Sequence, residues 1–199
     1  MARGTTTKKQ ETHDKIVRTA ANALRRKGFD GVGVAEVMDE AGLTHGGFYA
    51  HFPSREAMLV EALDAAAGET IVRLGKVPVA ALPGKQLEAL VEYYLSDRHV
   101  ANVERGCTLA ALGSETVRQS ADARQVMTRR VKELADVVAR QLPTWGDSEA
   151  HDDALAVLST MLGALLIARA VDDPALARSV RASAKELIAR GTAPAKARK

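Results

Sequence analysis

Apolar residues recur every three or four positions along most of this chain, which is the spacing of an amphipathic helix. The pattern predicts a first helix from Thr12 to Gly28. A longer helix is predicted from Ser54, a favourable N-cap, to about Leu74. No segment has the polar–apolar alternation that is typical of a strand. An all-α protein of about nine helices is therefore predicted.

The stretch between these two helices, residues 34–55, reads VAEVMDEAGLTHGGFYAHFPSR. Its first half has an apolar face and ends at Gly42, since glycine enters the left-handed conformation that terminates a helix without steric cost. Thr44 is a suitable N-cap for a shorter helix that runs to about His51, just before Pro53. A helix, a glycine turn and a short helix form the layout of a DNA-reading helix-turn-helix unit.

The second helix of this unit carries Gly46 and Gly47 in its first turn, each of which lowers helix stability by roughly 1 kcal/mol relative to alanine. Positions without side chains allow the backbone to approach a partner, and the N-terminal end of a helix suits a phosphate oxygen. The alternative is a surface helix with accidental glycines. We predict base or phosphate contacts for Thr44, His45, Gly46, Gly47 and Tyr49, and contacts with the DNA backbone for His51 and Arg55.

Residues 75–84 (GKVPVAALPG) contain two prolines and two glycines and mark the predicted domain boundary. Helical spacing resumes after it, is broken at Gly106 and Pro143, and continues to Gly191. The predicted domains are a flexible basic arm over 1–11, a DNA-binding domain with its connecting helix over 12–74, a sensing and dimerisation domain over 84–191, and a disordered basic tail over 192–199.

The last two predicted helices carry more apolar surface than a lone bundle needs, with large residues beside small ones such as Gly163 and Ala168. Part of this surface must be intramolecular core. A single short reader helix, however, makes few base contacts, and a two-fold dimer doubles them. We therefore predict a homodimer with contacts from Leu155, Leu158, Leu162, Leu166, Leu176, Val180 and Leu187.

Composition and charge refine this picture. Hydrophobic residues make up 46% and aromatic residues only 4% of the sequence, which favours a helical bundle over a β fold. The net charge is only +3, but residues 1–27 contain eight basic and two acidic residues, a local charge of +6. This excess would attract a phosphate backbone or would simply belong to a solvated arm.

The sequence favours a cytoplasmic protein without a membrane span. A single cysteine excludes an intramolecular disulfide and suits a reducing compartment. The N-terminus lacks the apolar core of a secretory signal. The most apolar run, residues 154–171, contains polar residues and is interpreted as a buried helix.

The N-terminal third resembles the TetR-type bacterial transcriptional regulators. The resemblance spans about residues 12–60, where GLTHGGFYAHFPSREAML is similar to the recognition helix of that family and the helix after it. Two departures are Gly33, where the family more often has Ser or Thr, and Arg55, where lysine is more usual. The matching positions are Ile16, Ala20, Leu24, Gly28, Phe29, Val37, Ala41, Gly42, Thr44, Phe48, Tyr49, Phe52, Ser54, Glu56 and Leu59.

The resemblance implies an N-terminal three-helix domain with the helix-turn-helix and a C-terminal helical bundle, joined into a homodimer through the last two helices. It also implies repression: the signal-free dimer binds a palindromic operator in double-stranded DNA, and a signal changes the spacing of the two reader helices. Activation of transcription by the same fold is the alternative.

Cys107 is the candidate sensor. It follows Arg105 and Gly106 at the predicted start of a helix, where the helix N-terminus and a nearby cation favour thiolate over thiol. The segment RGCTLAALGSE also resembles the corresponding part of TetR-type regulators that respond to N-ethylmaleimide and other electrophiles. A lone cysteine is, however, usually a small buried hydrophobe. The other interpretation is a non-covalent small-molecule inducer in a pocket between helices, with Tyr94, Met127 and Met161 as the candidate residues.

The sequence does not favour an enzyme, a metal site or a cofactor. The five histidines have no metal-ligand spacing with one another or with the cysteine. His99 and Cys107 are a conceivable base and nucleophile, but no third orienting group is apparent. A helical protein-binding module would leave the Gly46-Gly47 helix unexplained. Salt-dependent, sequence-selective binding of duplex DNA distinguishes these alternatives.

Overall fold

The computed structural model describes residues 7–193, and the regular structure in this range is entirely helical, which confirms the predicted fold class. The helices are α1 (Lys8–Lys27), α2 (Val34–Glu40), a 3-10 helix (His45–Ala50), α3 (Arg55–Val79), α4 (Gln86–Tyr94), α5 (Asp97–Ala101), α6 (Thr108–Thr116), α7 (Ala121–Ala139), α8 (Ala150–Ala170) and α9 (Pro174–Gly191). The short α5 was not predicted. It begins at Ser96, whose hydroxyl accepts a capping hydrogen bond from the His99 N–H.

The first helix begins earlier than its apolar pattern indicated. Thr7 is its N-cap, with the hydroxyl accepting a hydrogen bond from the backbone N–H of Gln10 at 3.3 Å. The prediction of a flexible arm over 1–11 is therefore wrong for residues 8–11, which form the first turn of α1. Residues 1–6 and residues 194–199 of the predicted tail lie outside the described residues.

The connecting helix α3 is also longer than predicted. It continues five residues past Leu74 to Val79 and includes Pro78 in its last turn. A proline so close to the end removes one backbone hydrogen bond without breaking the preceding turns. The connection between the two domains therefore shrinks to residues 80–85, where Gly84 has a φ of +77°.

Two hydrophobic cores divide the molecule, and α3 belongs to both. The first core packs α1, α2 and the 3-10 helix on the N-terminal half of α3, and it includes Leu112 of α6 and Val126 of α7. The second core packs the end of α3 with α4, α7, α8 and α9. The N-terminal domain therefore rests directly on α6 and α7, which is the contact through which the two halves can influence each other.

Candidate nucleic-acid interface

The turn after α2 has the hydrogen bonds of a glycine-terminated helix. Gly42 has a φ of +65°, the left-handed region that favours glycine. Its N–H donates to the Asp39 carbonyl at 2.8 Å, and the Leu43 N–H donates to the Met38 carbonyl, also at 2.8 Å. This pair of bonds is the Schellman arrangement. The predicted end of the first reader helix is confirmed, and the chain is redirected into residues 44–50.

The second reader helix is a 3-10 helix over His45–Ala50, whereas the sequence predicted an α-helix from Thr44 to His51. The two glycines give little support to an α-helix of six residues. Phe48 holds the segment in place, since it is fully buried and its ring lies 5.5 Å from that of Phe52. Thr44 does occupy the N-cap position, but its hydroxyl makes no capping hydrogen bond within the described residues.

The outer side of the 3-10 helix is open. Tyr49 is 71% exposed, and Thr44, His45 and Gly46 are also exposed. A Cβ added at Gly46 would meet no heavy atom of the described residues within 4 Å. One added at Gly47 would meet its nearest neighbour, the Met38 side chain, only at 3.8 Å. Internal packing therefore does not require glycine at either position.

His51 and Arg55 have internal surroundings that the sequence did not reveal, although His51 Nδ1 has no hydrogen-bond partner among the described residues. His51 is half-buried with its ring centre 6.0 Å from that of His13, and its pKa is lowered by burial and then by the nearby positive charges of His13 and Lys9. Arg55 donates from Nε to the Val32 carbonyl at 2.8 Å and from Nη2 to the Phe29 carbonyl. Arg55 thus fixes the turn between α1 and α2. Contacts of these two residues with the DNA backbone stay predictions.

Several basic side chains of the N-terminal segment are paired with acidic residues or buried, so the excess of positive charge is smaller than the sequence indicated. Arg25 is buried and donates to the Ala66 carbonyl and to Glu69. Arg26 pairs with Glu40 and Glu104, and Lys27 pairs with Glu36. The basic residues of α1 that are exposed and make no ion pair within residues 7–193 are Lys8, Lys9, Lys15 and Arg18. Lys15 lies beside the turn at Gly42, 3.8 Å from the position of an added Cβ.

The candidate sensor, Cys107, is fully buried at the N-cap of α6. Its backbone N–H donates to His99 Nε2 at 3.0 Å, and the other ring nitrogen of His99 donates to the Tyr94 carbonyl at 2.6 Å. Burial and then the adjoining thiol of Cys107 raise the pKa of Tyr94. The predicted helix start is confirmed, but the nearby cation is Arg169 of α8 and not the exposed Arg105.

Arg169 brings an unpaired donor to this site. Its Nη2 donates to the His99 carbonyl at 2.7 Å, while its Nη1 and the Tyr94 hydroxyl are buried without a hydrogen-bond partner among the described residues. Burial lowers the pKa of Arg169, and the neighbouring Cys107 and Tyr94 oppose that shift. Two buried donors without hydrogen-bond partners among the described residues thus lie in the electrostatic surroundings of Cys107.

Comparison with known proteins identifies the two halves of the chain separately. Residues 16–62 match the bacterial regulatory proteins of the tetR family, and residues 83–183 match the C-terminal domain of LmrA/YxaF-like transcriptional regulators. The chain belongs to the TetR family. It is a DNA-binding transcriptional regulator with a helix-turn-helix, and not an enzyme.

Relatives and solved structures agree with this assignment to the TetR family. The chain is 27% identical over 177 residues to an uncharacterised HTH-type transcriptional regulator of Mycobacterium tuberculosis, covering 80% of this chain and 85% of that protein. It is 24% identical over 161 residues to the HTH-type transcriptional regulator LmrA of Bacillus subtilis, covering 79% and 86%. Reduced Escherichia coli NemR has the same fold, with a TM-score of 0.77, 20% identity and coverage of 93% and 99%. A TetR-family regulator from Cytophaga hutchinsonii has a TM-score of 0.76, 22% identity and coverage of 92% and 96%.

The three residues predicted to line a ligand pocket of this TetR-family protein do not share one cluster. Tyr94 and Met161 are buried in the second core, and Met127 is in the first. Met127 separates two spaces. A cavity of about 10 Å³ lies on the inner side beside Cys107 and Thr70, and a groove of about 510 Å³ lies on the outer side against α8. The groove, and not the residues around Tyr94, has the size of a small-molecule site.

The residues predicted to form the dimer contact on α8 and α9 are exposed only in part, and their contact with a second copy stays a prediction. Leu166 and Leu176 are 46% exposed and Leu187 is 55% exposed, while Leu155, Leu162 and Val180 are half-buried. Leu158 is a correction: it is only 3% exposed and packs in the second core. Ile167, which was not among the predicted residues, is a further large apolar side chain of α8 and is 45% exposed. TetR regulators act as dimers, and an apolar surface of this kind needs a partner.

Helix α8 is long and apolar enough to cross a membrane, with a mean hydropathy of 1.6 over its most apolar 18 residues. One such helix is weak evidence for a membrane span, because the core helix of a bundle has the same composition. In this TetR-family protein α8 packs against α7 and α9, and regulators of the family are cytoplasmic DNA-binding proteins.

Proposed function

We propose that this protein is a transcriptional repressor that binds a palindromic operator as a homodimer. A small-molecule or thiol-reactive signal on its C-terminal domain would release it. The proposal that the protein binds an operator is supported mainly by the 3-10 helix at residues 45–50. Its inner residue, Phe48, is fully buried, while its outer side presents two glycines and the exposed Tyr49. Such a bare convex tip fits into the major groove and allows backbone N–H groups to reach phosphates. Activation by the same fold is the alternative.

The apolar surface of α8 and α9 supports a two-fold dimer. Leu166, Leu176 and Leu187 are large apolar residues that are about half exposed in one chain. Burying them against a second copy would place two reader helices on one side of the assembly. Dimers of helix-turn-helix proteins read two half-sites about one helical turn apart, so the operator should be an inverted repeat.

Selection of duplexes from a randomised pool tests the proposed function. We expect the purified protein to enrich an inverted repeat, and its affinity for that duplex to fall steeply as salt rises, because phosphate contacts release counterions. Replacement of Tyr49 by alanine should weaken binding of the selected duplex by about tenfold, since one good contact contributes roughly 1–3 kcal/mol. Fluorescence anisotropy measures both effects. Enrichment of no sequence, or an unchanged affinity of Tyr49→Ala, would contradict the proposal.

The surroundings of Cys107 support a thiol-reactive signal. The sulfur lies at the N-cap of α6 and beside two buried donors, the Tyr94 hydroxyl and Arg169 Nη1, that lack hydrogen-bond partners within residues 7–193. A helix N-terminus, a hydroxyl and a guanidinium near one cysteine are the surroundings in which reactive cysteines are found. Unpaired buried donors also destabilise a fold by roughly 1–3 kcal/mol each, so their retention suggests a role.

A covalent probe tests this signal. The Cys107 sulfur would add to one carbon of the carbon–carbon double bond of N-ethylmaleimide, and the proton of the thiol would end on the other carbon of that bond. The added ring has no room in the 10 Å³ cavity beside the thiol, so α6 would have to move. We expect the treated wild type to lose affinity for its selected duplex by about tenfold or more, and Cys107→Ser to keep it. Mass spectrometry reports the modification. An unmodified Cys107, or equal release of the serine variant, would contradict the thiol-reactive signal and favour a non-covalent inducer.

A further inference from the structure

Helix α6 is held at both of its ends by side chains that meet a buried glycine. At its N-terminal end, Gly106 packs against Arg169 of α8, whose Nη2 would lie 2.5 Å from an added Cβ. At its C-terminal end, Glu115 packs against Gly28 of the DNA-binding domain, and both carboxylate oxygens would lie 2.5 Å from an added Cβ. We infer that Glu115 is the positioning residue through which the C-terminal domain sets the orientation of the DNA reader. This inference rests on the proposed function.

The contact of Glu115 is with the backbone of the turn that follows α1. Its Oε2 accepts a hydrogen bond from the Phe29 N–H at 2.8 Å, across 86 positions of the sequence. Gly28 has a φ of +73° and a ψ of 178°, a conformation that is essentially restricted to glycine. The glycine therefore serves two purposes: it adopts this backbone conformation, and it leaves the space that the carboxylate occupies.

The same turn is held from its other side by the DNA-binding domain. Arg55, the first residue of α3, donates to the carbonyl oxygens of Phe29 and Val32. Phe29 is thus bound through its N–H by Glu115 and through its carbonyl by Arg55. The turn leads directly into α2, whose far end carries the reader. A displacement of Glu115 would therefore reach the reader through one short helix.

The opposite end of α6 lies in the candidate sensor site. The Cys107 N–H is bonded to His99, and the Gly106 carbonyl accepts from Thr70 and from Arg73 of α3. Cys107 and Glu115 are eight residues apart, or about 12 Å along a helix. A single rigid helix thus joins the sensor site to the reader domain, and a shift at one end must appear at the other.

Helix stability does not explain a glutamate at position 115. The residue lies in the last turn of α6 and faces the C-terminal end of α1. Both ends carry the negative pole of a helix dipole, where a carboxylate is unfavourable and lysine or arginine is preferred. The carboxylate accepts a hydrogen bond from the Phe29 N–H. This contact between the two domains accounts for the presence of glutamate at position 115.

Two variants separate the reach of this side chain from its charge. Glu115→Gln keeps the length and an acceptor oxygen, whereas Glu115→Asp keeps the charge and is one methylene too short to reach Phe29. Glu104→Gln is the matched control, because Glu104 also pairs across the domain boundary, with Arg26, but on the exposed surface. Amide hydrogen exchange at Phe29 measures the contact directly. We expect exchange to accelerate about tenfold or more in Glu115→Asp, and to stay near the wild-type rate in the other two variants.

The coupling itself is measured as the rate at which methyl methanethiosulfonate modifies Cys107, with and without the duplex selected by the wild type. If one helix links the two sites, binding of DNA should change the accessibility of the thiol and hence its modification rate. We expect the duplex to slow modification of the wild type, Glu115→Gln and Glu104→Gln by about fivefold or more. In Glu115→Asp at saturating duplex, the rate should change less than twofold.

The outcomes separate this inference from the proposed function. A wild type that selects no duplex would refute the function, and the exchange rate of Phe29 would still test the contact. A wild type that binds its duplex without any change at Cys107 would overturn the inference and leave the function intact. Equal protection of Cys107 in Glu115→Asp and the wild type would overturn it as well, since the carboxylate would then only be a structural contact.

Discussion

Replacing Gly46 or Gly47 by alanine should leave the fold as stable as before, or more stable, and should weaken binding of the selected duplex by about tenfold or more. Alanine in a helix is favoured over glycine by about 0.5–1 kcal/mol because the unfolded chain loses freedom. An added Cβ meets no heavy atom of the described residues within 4 Å at Gly46, and only atoms at 3.8 Å or beyond at Gly47. The protein itself has no use for the missing side chains, so their absence must serve a partner.

The measurements are thermal unfolding and fluorescence anisotropy on the same preparations. Gly75→Ala is the matched control, because Gly75 also lies in a helix, with no heavy atom within 4 Å of an added Cβ in the described part of the chain, but in α3 beyond the reader. It should gain stability and keep its affinity for DNA. If Gly46→Ala and Gly47→Ala bind as tightly as the wild type, close approach of the backbone to DNA is not part of recognition.

The helix-turn-helix was predictable because its signals are local. The N–H groups of Gly42 and Leu43 end α2 by donating to carbonyls three and five positions earlier, respectively, and Pro53 limits the reader a few residues later. The spacing of Val37 and Met38 indicated the buried face of α2 correctly. Each of these features is decided by the conformational preferences of a few neighbouring residues, and these can be interpreted without knowing the fold. The 3-10 geometry of the reader was missed, although its two glycines give little support to an α-helix of six residues.

The sensor site and the domain contact depended on residues far apart in the sequence. Arg169 meets His99 across 70 positions, and Glu115 meets Phe29 across 86. A periodic pattern gives the buried face of a helix but does not say which helix covers it. The same limit explains Leu158: α8 is apolar on nearly every side, so its spacing could not distinguish the face in the core from the face left for a second copy.

Acid should destabilise the fold through His99 before most carboxylates are protonated. His99 accepts the Cys107 N–H at Nε2 and donates from Nδ1 to the Tyr94 carbonyl, so its ring is neutral. Protonation would place a new N–H at Nε2 directly opposite the Cys107 N–H, so that two donors would face each other. The added charge would also lie close to the positive charges of Arg169 and Arg73. Burial lowers the pKa of His99 from 6.5 to about 4; the bond to Tyr94 opposes this shift, and the two arginines add to it.

The free energy of unfolding depends on pH because the pKa of His99 differs between the unfolded and the folded chain. Between pH 6.5 and about 4 the unfolded chain binds a proton at His99 that the folded chain does not, so the free energy of unfolding falls as the pH falls. The contribution of the neutral His99 ring to the free energy of unfolding is complete above pH 6.5 and is lost by about pH 4. It amounts to about 3 kcal/mol. Urea unfolding at intervals across this range measures it.

A pair of variants isolates this titration from the rest of the protein. His99→Gln has no group that titrates in the window, so its stability should fall by about 3 kcal/mol less than that of the wild type over the same pH range. His151→Gln removes an exposed histidine at the start of α8 and should behave as the wild type. Asp64, whose pKa is lowered through hydrogen bonds from Arg130 and Arg129 despite its burial, affects all three proteins alike. Parallel pH profiles for His99→Gln and the wild type would mean that the ring takes up a proton in the folded protein as readily as in the unfolded chain. The bond from the Cys107 N–H to the ring could not then survive, and the N-terminal end of α6 would lack the anchor that connects it to the sensor site.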